Sequence, residues 1–293
     1  MKIQYLNGGL ANQVFQYIFY RYGQLSNPND TWYLDDSFFY IKNVHNGYEL
    51  EKVFGLKPNL LSNAFDPDVW DVFISNKKNG ISVPQTFKNL GFDIKMITEF
   101  DNYKVHNPFD GVIYHVPGNE YIPEIVTVSD EYIYYHGYWL HPDWFCKYQD
   151  IFLQELAFPP IEDSYNQSIS NAIKQSHSVA IHIRRGDYVT LGWTSLPEYY
   201  LSKTTQLSKK YSDITFFVFS DDIPWCKENA HSLGLDLAKE TFFVEGNLHG
   251  NNFRDLQLMS TCQILLAGKS AFSYLSTLLN PRLQMIISDN TSR

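Results

Sequence analysis

Cysteine is scarce in this 293-residue chain, which has only Cys146, Cys226 and Cys262. An odd count with no Cys-x-x-Cys pair argues against both a disulfide framework and a zinc knuckle. Basic residues are outnumbered, 23 Lys+Arg against 32 Asp+Glu for a net charge of -9. The basic surface of a nucleic-acid binder is therefore missing. No stretch approaches the roughly 18 uncharged apolar residues of a membrane-spanning helix. No signal-type apolar core precedes Gly8-Gly9 either, so the expectation is a cytoplasmic protein, with a peripheral contact at the inner membrane face left open. P-loop, His-x-x-x-His and Ser/His/Asp patterns are lacking, as are internal repeats and low-complexity tracts.

What the chain does have is length for two domains and an α/β rhythm. Lys2 to Leu6 reads as a strand, Asn7-Gly8-Gly9 as a turn, and Leu10, Val14, Phe15, Ile18, Tyr22 and Leu25 as one face of a helix. The third glycine of a dinucleotide fingerprint is absent, and Gly8-Gly9 alone reads equally as a tight turn. From about Asp35 to Asp130 aromatics, Asn and Pro are scattered, and no element can be assigned; Asp35-Asp36 reads as a strand-end turn. Glu131 to Tyr135 predicts a strand, and Pro142 starts a helix running toward Leu156. Phe158-Pro159-Pro160 is the candidate linker.

The second half is plainer. Strands at 179–183, 214–219, 241–244, 263–267 and 284–287 alternate with helices that begin near Pro197, Ile223, Asn251 and Ser270. This βαβα series predicts a parallel sheet covered on both faces. Each of the first four strands ends in polar groups: His182, Arg184 and Arg185; Ser220-Asp221-Asp222; Glu245-Gly246-Asn247; and Gly268-Lys269-Ser270. In a doubly wound sheet such ends share one crevice. Arginine forks hold phosphate oxygens, and Ser270 opens a helix whose free N–H groups favour an anion, though a plain N-cap would look the same. A phosphate-bearing ligand, a nucleotide above all, is the expectation. Asp221 and Asp222 could hold a divalent cation. Adjacent turn residues point apart, however, so orienting an arginine is preferred, with capping of the next helix as a third possibility. His141 and Trp144 read as part of a buried aromatic cluster rather than a sugar site.

Several separated motifs resemble one family, the α-1,2-fucosyltransferases. They are Gly8-Gly9-Leu10-Ala11-Asn12-Gln13-Val14-Phe15-Gln16-Tyr17, Gly137-Tyr138-Trp139, His182 to Tyr188, Leu196-Pro197-Glu198-Tyr199-Tyr200, Phe219-Ser220-Asp221-Asp222 with Trp225-Cys226-Lys227, and Asp255 to Ser260. They occur in order over nearly the whole chain. The resemblance implies a GT-B architecture, two Rossmann-like domains facing across a cleft. Residues 1–158 would form the acceptor side and residues 159–293 the GDP-fucose side. It implies an inverting transfer of L-fucose from GDP-fucose to the 2-hydroxyl of a galactose-type oligosaccharide or surface glycan, with no metal and no other cofactor.

The resemblance also implies roles for single residues. His182 and Asp255 would face guanine, and Arg184 would hold the β-phosphate with Arg185 as support. Ser270, Ala271 and Phe272 would bind the diphosphate, and Asp221 and Asp222 would brace the arginines. Asn12, after the Gly8-Gly9 turn, would reach the fucose or a phosphate from the other domain. Asp187 is a candidate general base and Glu198 a weaker one; an oxocarbenium-like step whose departing phosphate takes the proton needs neither. A same-fold transferase with another donor or acceptor, or a silent nucleotide- or glycan-binding protein, are the alternatives. One departure stands out: the family commonly reads Ala-Asn-Ser-Ser-Phe-Ser-Trp-Trp where this chain has Ala267-Gly268-Lys269-Ser270-Ala271-Phe272-Ser273-Tyr274. Acceptor specificity is expected to lie between Asp35 and Asp130.

Overall fold

The computed structural model describes residues 1–99, 112–116, 118 and 120–289. The chain divides into Met1–Ala157 and Phe158–Arg293, one residue before the expected boundary. Part of the region expected to set specificity, residues 100–111, 117 and 119, lies outside the described residues.

The second unit is built on β6 (His177–Ile183), β7 (Ile214–Ser220), β8 (Glu240–Phe243), β9 (Ile264–Ala267) and β10 (Met285–Ser288). All pair in parallel, in the order β10-β9-β6-β7-β8. Aromatic and β-branched runs such as Ile-Thr-Phe-Phe-Val-Phe suit strands buried on both faces. Val179, Ile181 and Ile183 face one way, into a core with Tyr200, Leu207, Ile223, Cys226 and Leu235. By the two-residue period, Ala180 and His182 face the other way. The chain moves outward from β6 to β8 and then returns to β9 on the far side of β6. The strand order therefore reverses between β6 and β9, and a doubly wound sheet binds its ligand beyond the carboxyl ends at such a reversal.

The Ser164–Gln175 helix was not expected. Its buried face holds Ile169 and Ile173 but is completed by the polar Asn166 and Ser170, so an apolar count misses it. The helix expected near Asn251 begins at Phe253.

The first unit is a second parallel sheet, of β1 (Lys2–Tyr5), β2 (Trp32–Asp35), β3 (Lys95–Thr98), β4 (Val112–His115) and β5 (Ile133–His136), in the order β2-β1-β5-β3-β4. Its strands are four residues long, too short to show their period against so many aromatics. The Leu10–Ser26 helix follows β1 as expected. The helix expected to run from Pro142 toward Leu156 is two, Asp143–Cys146 and Gln149–Glu155. Trp144 is 1% exposed and packs edge-on against Phe19, Tyr22 and Tyr121, so the neighbourhood is indeed an aromatic core.

Two buried carboxylates organise this unit. Glu99, just past β3, accepts the N–H groups of Tyr138 and Trp139 at 2.6 and 2.8 Å. These bonds hold Trp139 at φ 56, a conformation a bulky residue seldom adopts. Trp139 itself stacks on Phe19 at 4.1 Å and donates its indole N–H to Gln4 at 2.7 Å. Asp35 ends β2, the strand-end position expected, and is also fully buried. Its Oδ2 takes Lys77 Nζ at 2.9 Å and the Tyr134 hydroxyl at 2.6 Å, and its Oδ1 takes the Ser37 N–H at 2.9 Å. Desolvation alone would push this carboxyl up, but the Lys77 charge and these bonds outweigh it and hold it below the usual range. Removing one partner of such a pair strands a buried charge. Lys77→Ala should cost about 3 kcal/mol or more in urea unfolding.

Candidate active site

At the end of β6 the chain turns sharply, and five charged side chains interlock. Arg184 Nη1 meets Asp221 Oδ2 at 2.7 Å, and its Nη2 meets Asp187 Oδ1 at 2.6 Å. Asp221 Oδ1 takes the Arg185 backbone N–H at 2.8 Å, so Asp221 holds both the guanidinium and the turn behind it. Arg185 points elsewhere: its guanidinium lies 3.6 Å from the centre of the Trp225 ring and its Nε meets Asp222 Oδ2 at 3.0 Å. Asp222 Oδ1 meanwhile accepts the Trp225 N–H and caps the Ile223–Glu228 helix. Both aspartates thus serve arginines, and Asp222 serves as the helix cap as well. Among the described residues, no three His, Cys, Asp or Glu side chains converge as a metal site.

Ser220 stitches the two strand ends together. Its hydroxyl donates to the Ile183 carbonyl at 2.6 Å and accepts the Asp222 N–H at 3.0 Å. Gly186 is fixed by sterics, since a Cβ there would stand 2.5 Å from Asp221 Oδ2.

His182 sits one residue inside the strand end, 5% exposed. Its ring lies 5.8 Å from Phe272, centre to centre, and its buried Nδ1 has no hydrogen-bond partner among the described residues. Burial, reinforced by the Arg184 charge, pushes its pKa down to about 3. The ring is therefore neutral at physiological pH. Ser270 caps the Ala271–Leu278 helix by accepting the Phe272 N–H at 3.2 Å. Ala271 and Phe272 form its first turn, at the end of β9 and thus on the other side of the strand-order reversal.

The third strand end reaches Asp255. Asn247 donates to Asp255 Oδ1 at 2.8 Å. Desolvation pushes the Asp255 carboxyl up to about 7, and the Asn247 bond opposes that only in part. Asp255 and His182 are thus an acid and a base displaced in opposite directions by the same cause.

Two residues that carried no assigned role from sequence brace the site. The Tyr199 hydroxyl donates to the Ala267 carbonyl at 3.0 Å, and the Tyr200 hydroxyl to the His182 carbonyl at 3.2 Å. Strand-end carbonyls need such donors. The Leu-Pro-Glu-Tyr-Tyr motif was visible, but its chemistry was not. Glu198, the weaker base candidate, is exposed in the first turn of the Pro197–Lys210 helix, where a carboxylate favours the helix dipole.

In the first unit, Asn12 lies in the first turn of the Leu10–Ser26 helix. The loop around it is held by neighbours. Gln13 Nε2 donates to the Gly8 and Gly47 carbonyls at 2.9 and 2.8 Å, and Gln16 bonds Asn7 through both its amide atoms. Gly8, at φ 77, lies close under Asn12, and Gly9 is the N-cap position.

The family model described as "Glycosyl transferase family 11" matches residues 77–292. The chain belongs to this family. The family 11 protein is 26% identical to an α-1,2-colitosyltransferase of Escherichia coli over 276 residues, 92% of this chain and 84% of that one. It is 32% identical over 98 residues to galactoside 2-α-L-fucosyltransferase Sec1 of Mus musculus, 31% of this chain and 26% of the relative. Among solved structures, fucosyltransferase NodZ from Bradyrhizobium superposes with a TM-score of 0.51 at 12% identity, covering 99% of this chain and 95% of that one. That likeness bears on the fold, the GT-B pairing of parallel α/β units seen in such transferases.

The protein is thus a glycosyltransferase. Its matched region contains the interlocked arginines, Asp255 and the Ser270 helix start, whereas Gly8, Gly9 and Asn12 precede it. Within the second unit, the sequence-selected residues from β6, β7 and β9 gather at the strand-order reversal and beside it. Following carboxyl and imidazole NMR signals through a titration should give an Asp255 midpoint near pH 7, while His182 stays neutral down to about pH 3.

Proposed function

We propose that the protein transfers L-fucose from GDP-fucose to the 2-hydroxyl of a galactose-type unit in an oligosaccharide or surface glycan, with inversion, forming an α-1,2 linkage. The observation that carries this reading is Arg184, held by Asp221 at the end of β6, beside the strand-order reversal. Family membership and the α-1,2-transferase relatives support it. So does a NodZ structure described as soaked with GDP-fucose, as to the kind of donor such folds accept.

In this reaction the acceptor oxygen forms a bond to the fucosyl C1 as the bond from C1 to the β-phosphate oxygen breaks. GDP leaves with the electron pair, and negative charge grows on the diphosphate. A preorganised guanidinium stabilises that growing charge more than it stabilises the ground state. Asp221 is tied to the backbone and stays on Arg184. Asp187 is exposed, and an exposed ion pair is worth little. The diphosphate therefore displaces Asp187 from Nη2 at small cost. The first turn of the Ala271–Leu278 helix supplies further N–H donors to the diphosphate. Guanine would lie between neutral His182 and ionised Asp255. Arg185 acts by holding the turn. The acceptor proton passes to Asp187 once it is freed or to the departing phosphate. We further propose that the reaction needs no metal, and that the protein works in the cytoplasm, with any membrane association peripheral. No helix among the described residues is long and apolar enough to cross a membrane.

The relative covering 92% of this chain is a colitosyltransferase, and colitose is L-fucose without its 3-hydroxyl. GDP-colitose is therefore the second donor to test. With a panel of galactosides and no added metal, transfer from GDP-fucose supports the first reading; turnover of GDP-colitose alone would replace it. Arg184→Ala should lower kcat by about a hundredfold or more, on the order of 3 kcal/mol, with an unchanged circular dichroism spectrum. Gly186→Ala, which drives Asp221 away from Arg184, should weaken GDP binding about tenfold, measurable by calorimetry. Guanine offers two N–H donors that only an ionised carboxylate can both accept. Asp255 protonates as pH falls through about 7, so GDP affinity should drop on the acid side, by up to about tenfold per pH unit, and plateau above it.

A further inference from the structure

Past β8, Gly246 adopts φ 86 and turns the chain so that Asn247 points inward, 7% exposed. Asn247 Nδ2 donates to Asp255 Oδ1 at 2.8 Å and to Asn166 Oδ1 at 2.9 Å. Asn166, 4% exposed, donates back from its Nδ2 to Asn247 Oδ1 at 2.8 Å and onward to Asp163 Oδ2 at 3.1 Å. Every amide hydrogen of both asparagines is used. The network also has one possible polarity. A carboxylate only accepts, so Asp163 at one end and Asp255 at the other each require an N–H, and this fixes which way both amides face. Asp163 is itself anchored, because its Oδ1 caps the Ser164–Gln175 helix by accepting the Asn166 N–H at 2.8 Å.

Holding the loop after β8 does not require these amides. Tyr165, next to Asn166, already ties it: the Tyr165 hydroxyl accepts the Glu245 N–H at 2.9 Å. Two apolar side chains could fill the same space without the desolvation cost of buried amides. What apolar side chains could not do is grip Asp255.

We propose that Asn247 and Asn166 are positioning residues that hold the Asp255 carboxylate in the orientation that accepts the N1–H and 2-amino donors of guanine. Base selectivity is then set by a relay extending back to Asp163. This rests on the role proposed above for Asp255, that of facing guanine.

The test compares calorimetric Kd values for GDP and for inosine diphosphate, which keeps the diphosphate but lacks the 2-amino group, on the full chain. The wild type should prefer GDP by about tenfold or more. In Asn247→Ala that preference should fall close to unity, with GDP losing more affinity than inosine diphosphate, which has only the N1–H contact to lose. Asn166→Ser, which keeps the direct Asn247–Asp255 bond but frees its far end, should reduce the preference about threefold, and it carries the test if the alanine variant does not fold. Tyr165→Phe, which loosens the same loop without touching the relay, should keep the wild-type ratio. If the asparagine variants weaken both nucleotides by one common factor while Asp255→Ala still abolishes the preference, the relay is overturned and the guanine role of Asp255 stands. A wild type with no preference, or an Asp255→Ala protein that retains it, overturns the guanine assignment itself.

Discussion

The pairing of Arg184 with Asp221 is the interaction on which the candidate site depends. A cation at the open end of a parallel strand has many rotamers, and a flexible arginine would lose much entropy on meeting an anion. Asp221 removes that freedom because it is itself immobilised by the Arg185 N–H, in a turn that Ser220 fastens to the end of β6. The absence of a side chain at 186 is part of the same arrangement. Arg185, Asp222 and Trp225 form a separate, stacked layer beneath it. Two neighbouring arginines that look equivalent in sequence are therefore placed differently, Arg184 partly exposed between Asp221 and Asp187 and Arg185 packed on Trp225.

Burial governs the remaining chemistry. The same loss of water that keeps the His182 ring neutral pushes the Asp255 carboxyl upward. It raises the buried Cys226 and Cys262 thiols too, to about 11 and 12, so they behave as core residues, consistent with all three cysteines being free. Elsewhere, buried charge is matched rather than neutralised, as at Asp35 and Lys77.

The second unit was legible because its strands are long, apolar on both faces and end in polar residues, so each strand end marked a site position. The first unit resisted for the opposite reason. Four-residue strands among aromatics carry no clear period, and the buried roles of Asp35 and Glu99 depend on partners distant in sequence, Lys77 and the Tyr138-Trp139 backbone. Asn166 was missed likewise, because it lies on a helix whose buried face is partly polar. Asn247 was visible as part of a polar strand end, but its bonds to Asn166 and Asp255 were not. The tyrosines of the Leu-Pro-Glu-Tyr-Tyr motif were seen as a match, but their caps on the β6 and β9 carbonyls need the folded register to be understood.

Gly268 is where the chain departs from the Asn common among α-1,2-fucosyltransferases, and the structure shows what accompanies it. A Cβ at 268 would lie 2.6 Å from Ser195 Oγ and 2.8 Å from the Tyr200 hydroxyl. Ser195 is meanwhile bonded to Asp289 at 2.8 Å, and Tyr200 to the end of β6. Positions 195, 200, 268 and 289 therefore form one inheritable unit. A loop after β9 that carries a side chain at 268 would meet the Ser195 and Tyr200 hydroxyls, so it can be grafted onto this chain only together with changes at those positions.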